Sequence, residues 1–277
     1  MQTLKLNNGV EMPILGFGTY RANGDECRNC VCTAIHAGYR LIDTAQVYGN
    51  EDAVGDGIAL SGIDRKELFL VTKVHIRAYE HAYASVLDSL RKLKTDYLDL
   101  VLLHWPFGNC YAAWRDLEKL CGEGRIRAIG ISNFNPDRMI DLIGFNRIVP
   151  AVNQVETHLF CQRTEQHKWM QKYGVQHMAY TPLGRKRAGE MFALDEVRAL
   201  AEKHRKTPAQ ILLRFLIQQN IAVIPKSVHE ERIRENIDIF DFELTAEEQD
   251  TLRALDQDAP MIGNPENPEK VETALTW

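Results

Sequence analysis

The chain has no apolar stretch near the roughly 20 residues needed to cross a bilayer, and its opening MQTLKLNNGV lacks the hydrophobic core of a secretion signal. No membrane partner is expected, and the expected location is the cytoplasm. There is no surplus of positive charge either: 33 Lys+Arg stand against 38 Asp+Glu, a net charge of -5, which leaves no basic footprint for nucleic acid. Cysteine is sparse, with 6 in 277 residues, too few in a chain this long for a disulfide framework. Cys27, Cys30 and Cys32 cluster, but no second Cys or His pair at ligand spacing accompanies them. No metal is therefore expected, and the cluster reads as a helix position with Cys27 and Cys30 on one face. No strand-like run precedes a Gly-x-Gly-x-x-Gly, so a Rossmann nucleotide site is not supported. The first strand also lacks the His-x-His ending that a metal-dependent barrel hydrolase would use.

What is present is a rhythm. Short apolar runs end repeatedly in a chemically capable residue: Leu41-Ile42 in Asp43, Leu68 to Val71 in Lys73, and Val101 to Leu103 in His104. The pattern returns at Ser132-Asn133, Asn153-Gln154, Tyr180 and Lys226-Ser227. Most intervals approximate one strand-plus-helix unit of about 30 residues. That is the period of a parallel (β/α)8 TIM barrel, an α/β fold whose site forms at the C-terminal strand ends. A composition 45% hydrophobic and 26% charged supplies a large core. Barrels of about 250 residues are routinely one domain, so 1–277 is read as a single domain.

Leu4 to Leu6, Asn7-Asn8-Gly9 and Val10 to Met12 predict an N-terminal β-hairpin capping the barrel bottom, its Asn-Gly supplying positive φ. Strand one is placed at Ile14 to Phe17. Apolar spacing of three and four predicts helices over 25–37, 51–60, 80–93, 111–121, 136–143 and 163–173. Two extra helices near the C-terminus follow at 194–204 and 208–219, the second opened by Thr207 and Pro208. Thr245-Ala246-Glu247-Glu248 is a capping-box start for a last helix. The tail with Pro260, Pro265 and Pro268 reads as loop. The run Arg185-Lys186-Arg187 sits in a longer excursion, read as a mobile flap that either clamps pyrophosphate or is merely solvated.

Asp43, Lys73 and His104 end consecutive strands, and Tyr48 follows Asp43 by five residues, so the four are expected at one rim. A phenol with a pKa near 10 is a poor acid at neutral pH, and a neighbouring ammonium lowers that value. Lys73 is expected to do so, with Asp43 holding Lys73, while His104 donates to the same substrate oxygen. Lys226, Ser227 and Arg232, around a helix start, read as a phosphate site, with Asn236 one turn beyond Arg232.

These residues sit in longer motifs: Gly38-Tyr39-Arg40-Leu41-Ile42-Asp43-Thr44-Ala45, Leu102-Leu103-His104-Trp105-Pro106, Gly130-Ile131-Ser132-Asn133-Phe134, Val152-Asn153-Gln154 and Ile224-Pro225-Lys226-Ser227. Together, from the hairpin to about Leu255, the chain resembles the aldo-keto reductase family. The resemblance implies NADPH-dependent reduction of aldehydes or ketones to alcohols, with Tyr48 as general acid, Lys73 and Asp43 tuning it and His104 orienting the carbonyl. It implies that Ser132, Asn133 and Gln154 hold the nicotinamide carboxamide, that Tyr180 stacks on the ring, and that Thr19 and Asp43 meet its ribose. Gly18, Thr181 and Leu183 complete the NADPH/NADP+ set, with Leu183 on the pyrophosphate loop. Lys226, Ser227 and Arg232 would take the 2'-phosphate and Asn236 the adenine. Tyr20, His75, His104 and Trp105 are expected to wall a pocket for a small-molecule carbonyl, with His75 standing where relatives often carry tryptophan. The tail and the loop after Pro106 look too short to cover that pocket. A monomer is expected. A second reading is an NADPH-binding redox-sensing module with little turnover.

Overall fold

The computed structural model describes residues 2–262, 265–274 and 276. It opens with an antiparallel hairpin of β1 (Thr3–Lys5) and β2 (Glu11–Pro13). Leu6 N donates to Val10 O and Gly9 N to Leu6 O, both at 2.9 Å. Gly9 alone in this turn takes positive φ, at 86°. The expected left-handed asparagine is thus replaced by a three-residue turn closed on a left-handed glycine, which fits the twist of the two strands equally well.

The barrel strands are β3 (Phe17–Gly18), β4 (Leu41–Asp43), β5 (Phe69–Val74), β6 (Leu98–Leu103), β7 (Ile126–Ser132), β8 (Val152–Glu156), β9 (Gln176–Tyr180) and β10 (Ala222–Ile224). All neighbours pair in parallel, from β3 through β10 in sequence order. Closure comes from Leu15, which bridges Val223, with Gly16 N donating to Val223 O and Val223 N to Ile14 O, each at 2.9 Å. Strand one ends at Gly18, one residue past its expected end.

Strand periodicity explains where the polar ends go. Side chains two apart share a face, so Phe69 and Val71 point inward with Leu41, Leu100, Leu102, Ala128, Val152, Met178, Ala222 and Ile224 as the inner core. Leu6 and Met12 of the hairpin join that cluster and plug its bottom. The same inward rows continue to Asp43, Lys73, His104, Ser132 and Gln154 at the top. The alternate residues Ile42, Leu70, Val101, Leu103, Ile129, Ala179 and Val223 pack outward on the helices. With both faces buried, strands read as continuous apolar runs rather than alternating ones.

The helices are α1 (Gly24–His36), α2 (Glu51–Ser61), α3 (Ala82–Lys92), α4 (Cys110–Gly122), α5 (Pro136–Gly144), α6 (Thr164–Lys172), α7 (Ala188–Ala193), α8 (Asp195–His204), α9 (Pro208–Ile217), α10 (Glu230–Ile237), α11 (Ala246–Arg253) and α12 (Pro268–Ala274). Capping boxes open α9 at Thr207/Gln210 and α11 at Thr245/Glu248. The flap is a 3-10 turn over Arg185–Arg187 running into α7. The tail reading fails at α12. Asn267 starts that helix: its Oδ1 accepts from Glu269 N at 2.9 Å, and Pro268 sits at the first position, an N-terminal signal that outweighs the proline content. Cys27 and Cys30 are buried on α1 and Cys32 is half-buried, all as free thiols. Among the described residues no helix is long and apolar enough to cross a membrane, and no group of three or more His, Cys, Asp or Glu is placed to hold a metal ion.

Candidate active site

A cavity of about 1040 Å³ opens at the C-terminal strand ends, lined in part by Asp43, Tyr48, His104, Ser132, Asn133, Gln154 and Tyr180. Lys73 lies just beneath its floor. The Lys73 Nζ donates to Asp43 Oδ1 at 2.6 Å, to Thr44 O at 2.8 Å and to Tyr48 Oη at 3.4 Å. Lys73 and Asp43 are 1% and 2% exposed, so their attraction is little screened. Gln154 Nε2 supports the other carboxylate oxygen at 2.8 Å. Asn50 fixes the loops around the pair: its Nδ2 donates to Thr19 O and Ala22 O, and its Oδ1 accepts from Thr44 Oγ1. Nothing in the sequence pattern singled out Asn50, because it supports the site without lining it.

The titration of Tyr48 runs opposite to the expectation. Burial pushes its pKa well above the usual phenol value and the Asp43 charge adds to this. Lys73, itself pushed down by burial although Asp43 opposes that, does not overcome the loss of water around the ring. The phenol therefore keeps its proton at neutral pH. His104 faces Tyr48 edge-on at 6.0 Å between ring centroids. Burial first, then the charge of Lys73, hold its imidazole well below the ordinary histidine range, so it is neutral and carries one N–H.

Beyond this group, the cavity lies along a row of further polar residues. Ser132 Oγ donates to Gln154 O at 2.8 Å, Asn133 Nδ2 to His104 O at 3.0 Å, and Tyr180 Oη to Asn133 Oδ1 at 2.7 Å. Thr19 is buried behind Asp43, its Oγ1 on the Asp43 carbonyl at 3.0 Å. Gly18, Thr181 and Leu183 line the cavity, and a side chain at Gly18 would stand 3.1 Å from Ile224 O. At the far end come Lys226, Ser227, Arg232 and Asn236, joined by Val228, His229 and Glu235. With Lys73 beneath it and Thr19 behind Asp43, the other expected residues line one continuous groove from the Tyr48 end to the start of α10.

The other end holds Tyr20, His75, His104 and Trp105, with Val47, Arg77 and Ile262. The tail contributes to this end, since Ile262 lines the cavity and Ala274, Val271 and Ile262 pack with Trp105 and Phe107. The basic flap divides: Arg185 lines the cavity with its guanidinium 5.6 Å from the Tyr20 ring, which the Arg21 guanidinium also approaches at 5.4 Å. Arg187 instead pairs with Glu190 and bonds Gln257.

Two observations bear on what fills the groove. Thr181, a β-branched residue, is held at a left-handed φ of 50°, a costly conformation away from functional sites. Its Oγ1 is buried without a partner, as is His104 Nδ1. Polar atoms so placed call for a hydrogen-bonding ligand. A long groove ending in Lys226 and Arg232 suits a phosphate-bearing dinucleotide.

Comparison with known proteins bears directly on this geometry. The model of the Aldo/keto reductase family matches residues 14–257. A glyoxal reductase of Bacillus subtilis is 44% identical over 95% of this chain and 96% of its own length. A 9,11-endoperoxide prostaglandin H2 reductase of Trypanosoma cruzi is 41% identical over 95% and 94%. Among solved structures, an aldo-keto reductase from a Medee basin deep-sea metagenome library superposes with a TM-score of 0.93 at 40% identity, covering 95% of this chain and 98% of its own. The Bombyx mori aldo-keto reductase in complex with NADP does so with a TM-score of 0.90 at 33% identity, covering 98% and 96%. This chain belongs to the aldo/keto reductase family, whose members are oxidoreductases acting on carbonyl groups.

Proposed function

We propose that the protein reduces aldehydes and ketones to alcohols with NADPH, using Tyr48 as the proton donor. The observation that carries this reading is the buried Asp43–Lys73 pair reaching the half-buried Tyr48 in a cavity that a neutral imidazole also lines. NADPH, when bound, supplies the two electrons and one hydrogen that the carbonyl carbon receives. Ser132, Asn133 and Gln154 would hold its carboxamide, Tyr180 would support one face of the ring, and Asp43, backed by Thr19 rather than joined by it, would sit at the ribose. Gly18, Thr181 and Leu183 leave room for the pyrophosphate, with Arg185 at hand. Lys226, Ser227 and Arg232 would receive the 2'-phosphate and Asn236 the adenine.

The chain's own chemistry follows from the two shifted groups. His104, uncharged, donates one hydrogen bond to the substrate oxygen and orients it without giving up a proton. Tyr48 retains its proton until negative charge develops on that oxygen, then transfers it. The phenolate left behind faces the Lys73 ammonium, which stabilises it, and Asp43 keeps that ammonium aimed. Positioned acids of this kind contribute about 10²–10⁴ in rate, and preorganised donors to a developing oxyanion contribute comparably.

The test is a panel of methylglyoxal, 4-nitrobenzaldehyde and simple ketones assayed with NADPH and NADH in parallel. Turnover with a clear NADPH preference is expected. Tight NADPH binding without turnover of any of them would instead favour a redox-sensing module.

A further inference from the structure

Glu156 closes β8 beyond Gln154, is 1% exposed, and plays no part in the chemistry above. Its carboxylate reaches across about a hundred residues of chain to the tail: Oε1 accepts from Met261 N at 2.7 Å and Oε2 from Ile262 N at 2.9 Å. His158 Nε2 lies 3.2 Å from Oε1. Burial alone would raise the carboxyl's pKa, but these hydrogen bonds prevail and hold it below the usual range, so the tether is charged and its bonds are of the stronger, charge-assisted kind. The neighbouring loop adds a second fastening, with Phe160 O accepting from Gln257 N at 3.2 Å and Ala259 N at 3.0 Å.

The fastened segment reaches the substrate end of the cavity. Ile262 lines it, and the Ile262 carbonyl accepts from Lys270 Nζ at 2.7 Å. That ammonium lies 4.1 Å from the centroid of Trp105, whose ring stacks on His104 at 6.1 Å. A line of direct contacts thus runs from a buried carboxylate on one barrel strand, through the tail, to the wall of the pocket.

We infer that Glu156 is a positioning residue: it holds the 261–262 segment and, through Lys270, the Trp105 wall, and so sets affinity for carbonyl compounds large enough to touch that wall. The inference rests on the carbonyl-reductase reading of the same cavity. A residue that merely stabilised the fold would affect large and small substrates alike. One that shapes the recess discriminates, because a three-carbon dicarbonyl held by Tyr48 and His104 has little surface to lay against the Trp105 wall, whereas the ring of a nitrobenzaldehyde has much.

The experiment compares the wild type with Glu156→Gln and Lys270→Met, by amide hydrogen exchange over 257–262 and 266–274 and by steady-state kinetics. In Glu156→Gln, loss of the charged acceptor is expected to speed exchange in the tail roughly tenfold or more while the barrel strands stay protected. The KM for 4-nitrobenzaldehyde should rise about fivefold or more, with kcat/KM for methylglyoxal within about twofold of wild type. Lys270→Met leaves the buried carboxylate intact and should shift the same KM in the same direction; if Glu156→Gln does not fold, this variant decides. Unchanged tail exchange in Glu156→Gln, or an equal change for both substrates, overturns the inference. Loosened tail exchange in a protein whose wild type reduces no carbonyl at all would leave the tether standing and refute the reading of the reaction instead.

Discussion

Replacing Lys73 by methionine tests the buried pair on which the site is built. The substitution keeps an unbranched apolar stem one atom shorter but removes the donor to Asp43 Oδ1 (2.6 Å), Thr44 O (2.8 Å) and Tyr48 Oη (3.4 Å). Asp43, 2% exposed, is left with Gln154 as its remaining side-chain donor. Removing one partner of a buried pair strands an uncompensated charge and costs about 3–5 kcal/mol. For a chain of this size that is a fall in Tm on the order of 10 °C. Adding Asp43→Asn to Lys73→Met should restore about half of the loss, since the stranded charge disappears even though the hydrogen bonds do not return. Urea and thermal unfolding of the cofactor-free protein at pH 7 read both effects. A cost below about 1 kcal/mol, the value of an exposed pair, or a double variant less stable than the single one, would refute the reasoning.

Arg232→Gln should weaken NADPH binding about tenfold or more, by loss of a charge-assisted contact, with little change for NADH; fluorescence titration with both nucleotides checks this. Burial holds His104 and His177 well below the ordinary histidine value of 6.5, so below that pH the unfolded chain binds protons that the native state refuses. Stability is therefore greatest above pH 6.5 and falls on acidification, by at most about 1.4 kcal/mol per histidine between pH 7.5 and 5.5. Unfolding measured across that range should flatten in His177→Gln. Exchange of Asn267 for alanine removes the side-chain acceptor of Glu269 N and should cost α12 about 1 kcal/mol of local stability, visible as faster amide exchange over 268–274.

The barrel was legible because its strands are buried on both faces and each ends in a polar residue, so that Asp43, Lys73 and His104 mark consecutive strand tops. Once those tops are counted, closure follows. The flanking polar residues were legible through long motifs, for a single Ser132-Asn133 or Lys226-Ser227 pair carries little information on its own. The sequence misled where local composition competed with tertiary contacts. Three prolines suggested a loop in the tail, yet Asn267-Pro268 is a helix start and α12 is held by packing on Trp105 and Phe107. The direction of the Tyr48 shift was also hidden. Lys73 is visible in the sequence, but the degree of burial that outweighs its charge is a property of the closed barrel. Glu156 gave no signal at all, because its partners Met261 and Ile262 are joined to it by backbone amides, which any residue could supply.

The proton held by Tyr48 is the one that the substrate oxygen is proposed to receive. Single-turnover reduction of 4-nitrobenzaldehyde by Tyr48→Phe, alongside NADPH titration of the same protein, separates chemistry from binding. A fall in rate of at least about 100-fold, with the NADPH dissociation constant within about twofold of wild type, is the predicted result. Turnover retained to within about tenfold of wild type would contradict the claim, since another group would then be delivering the proton.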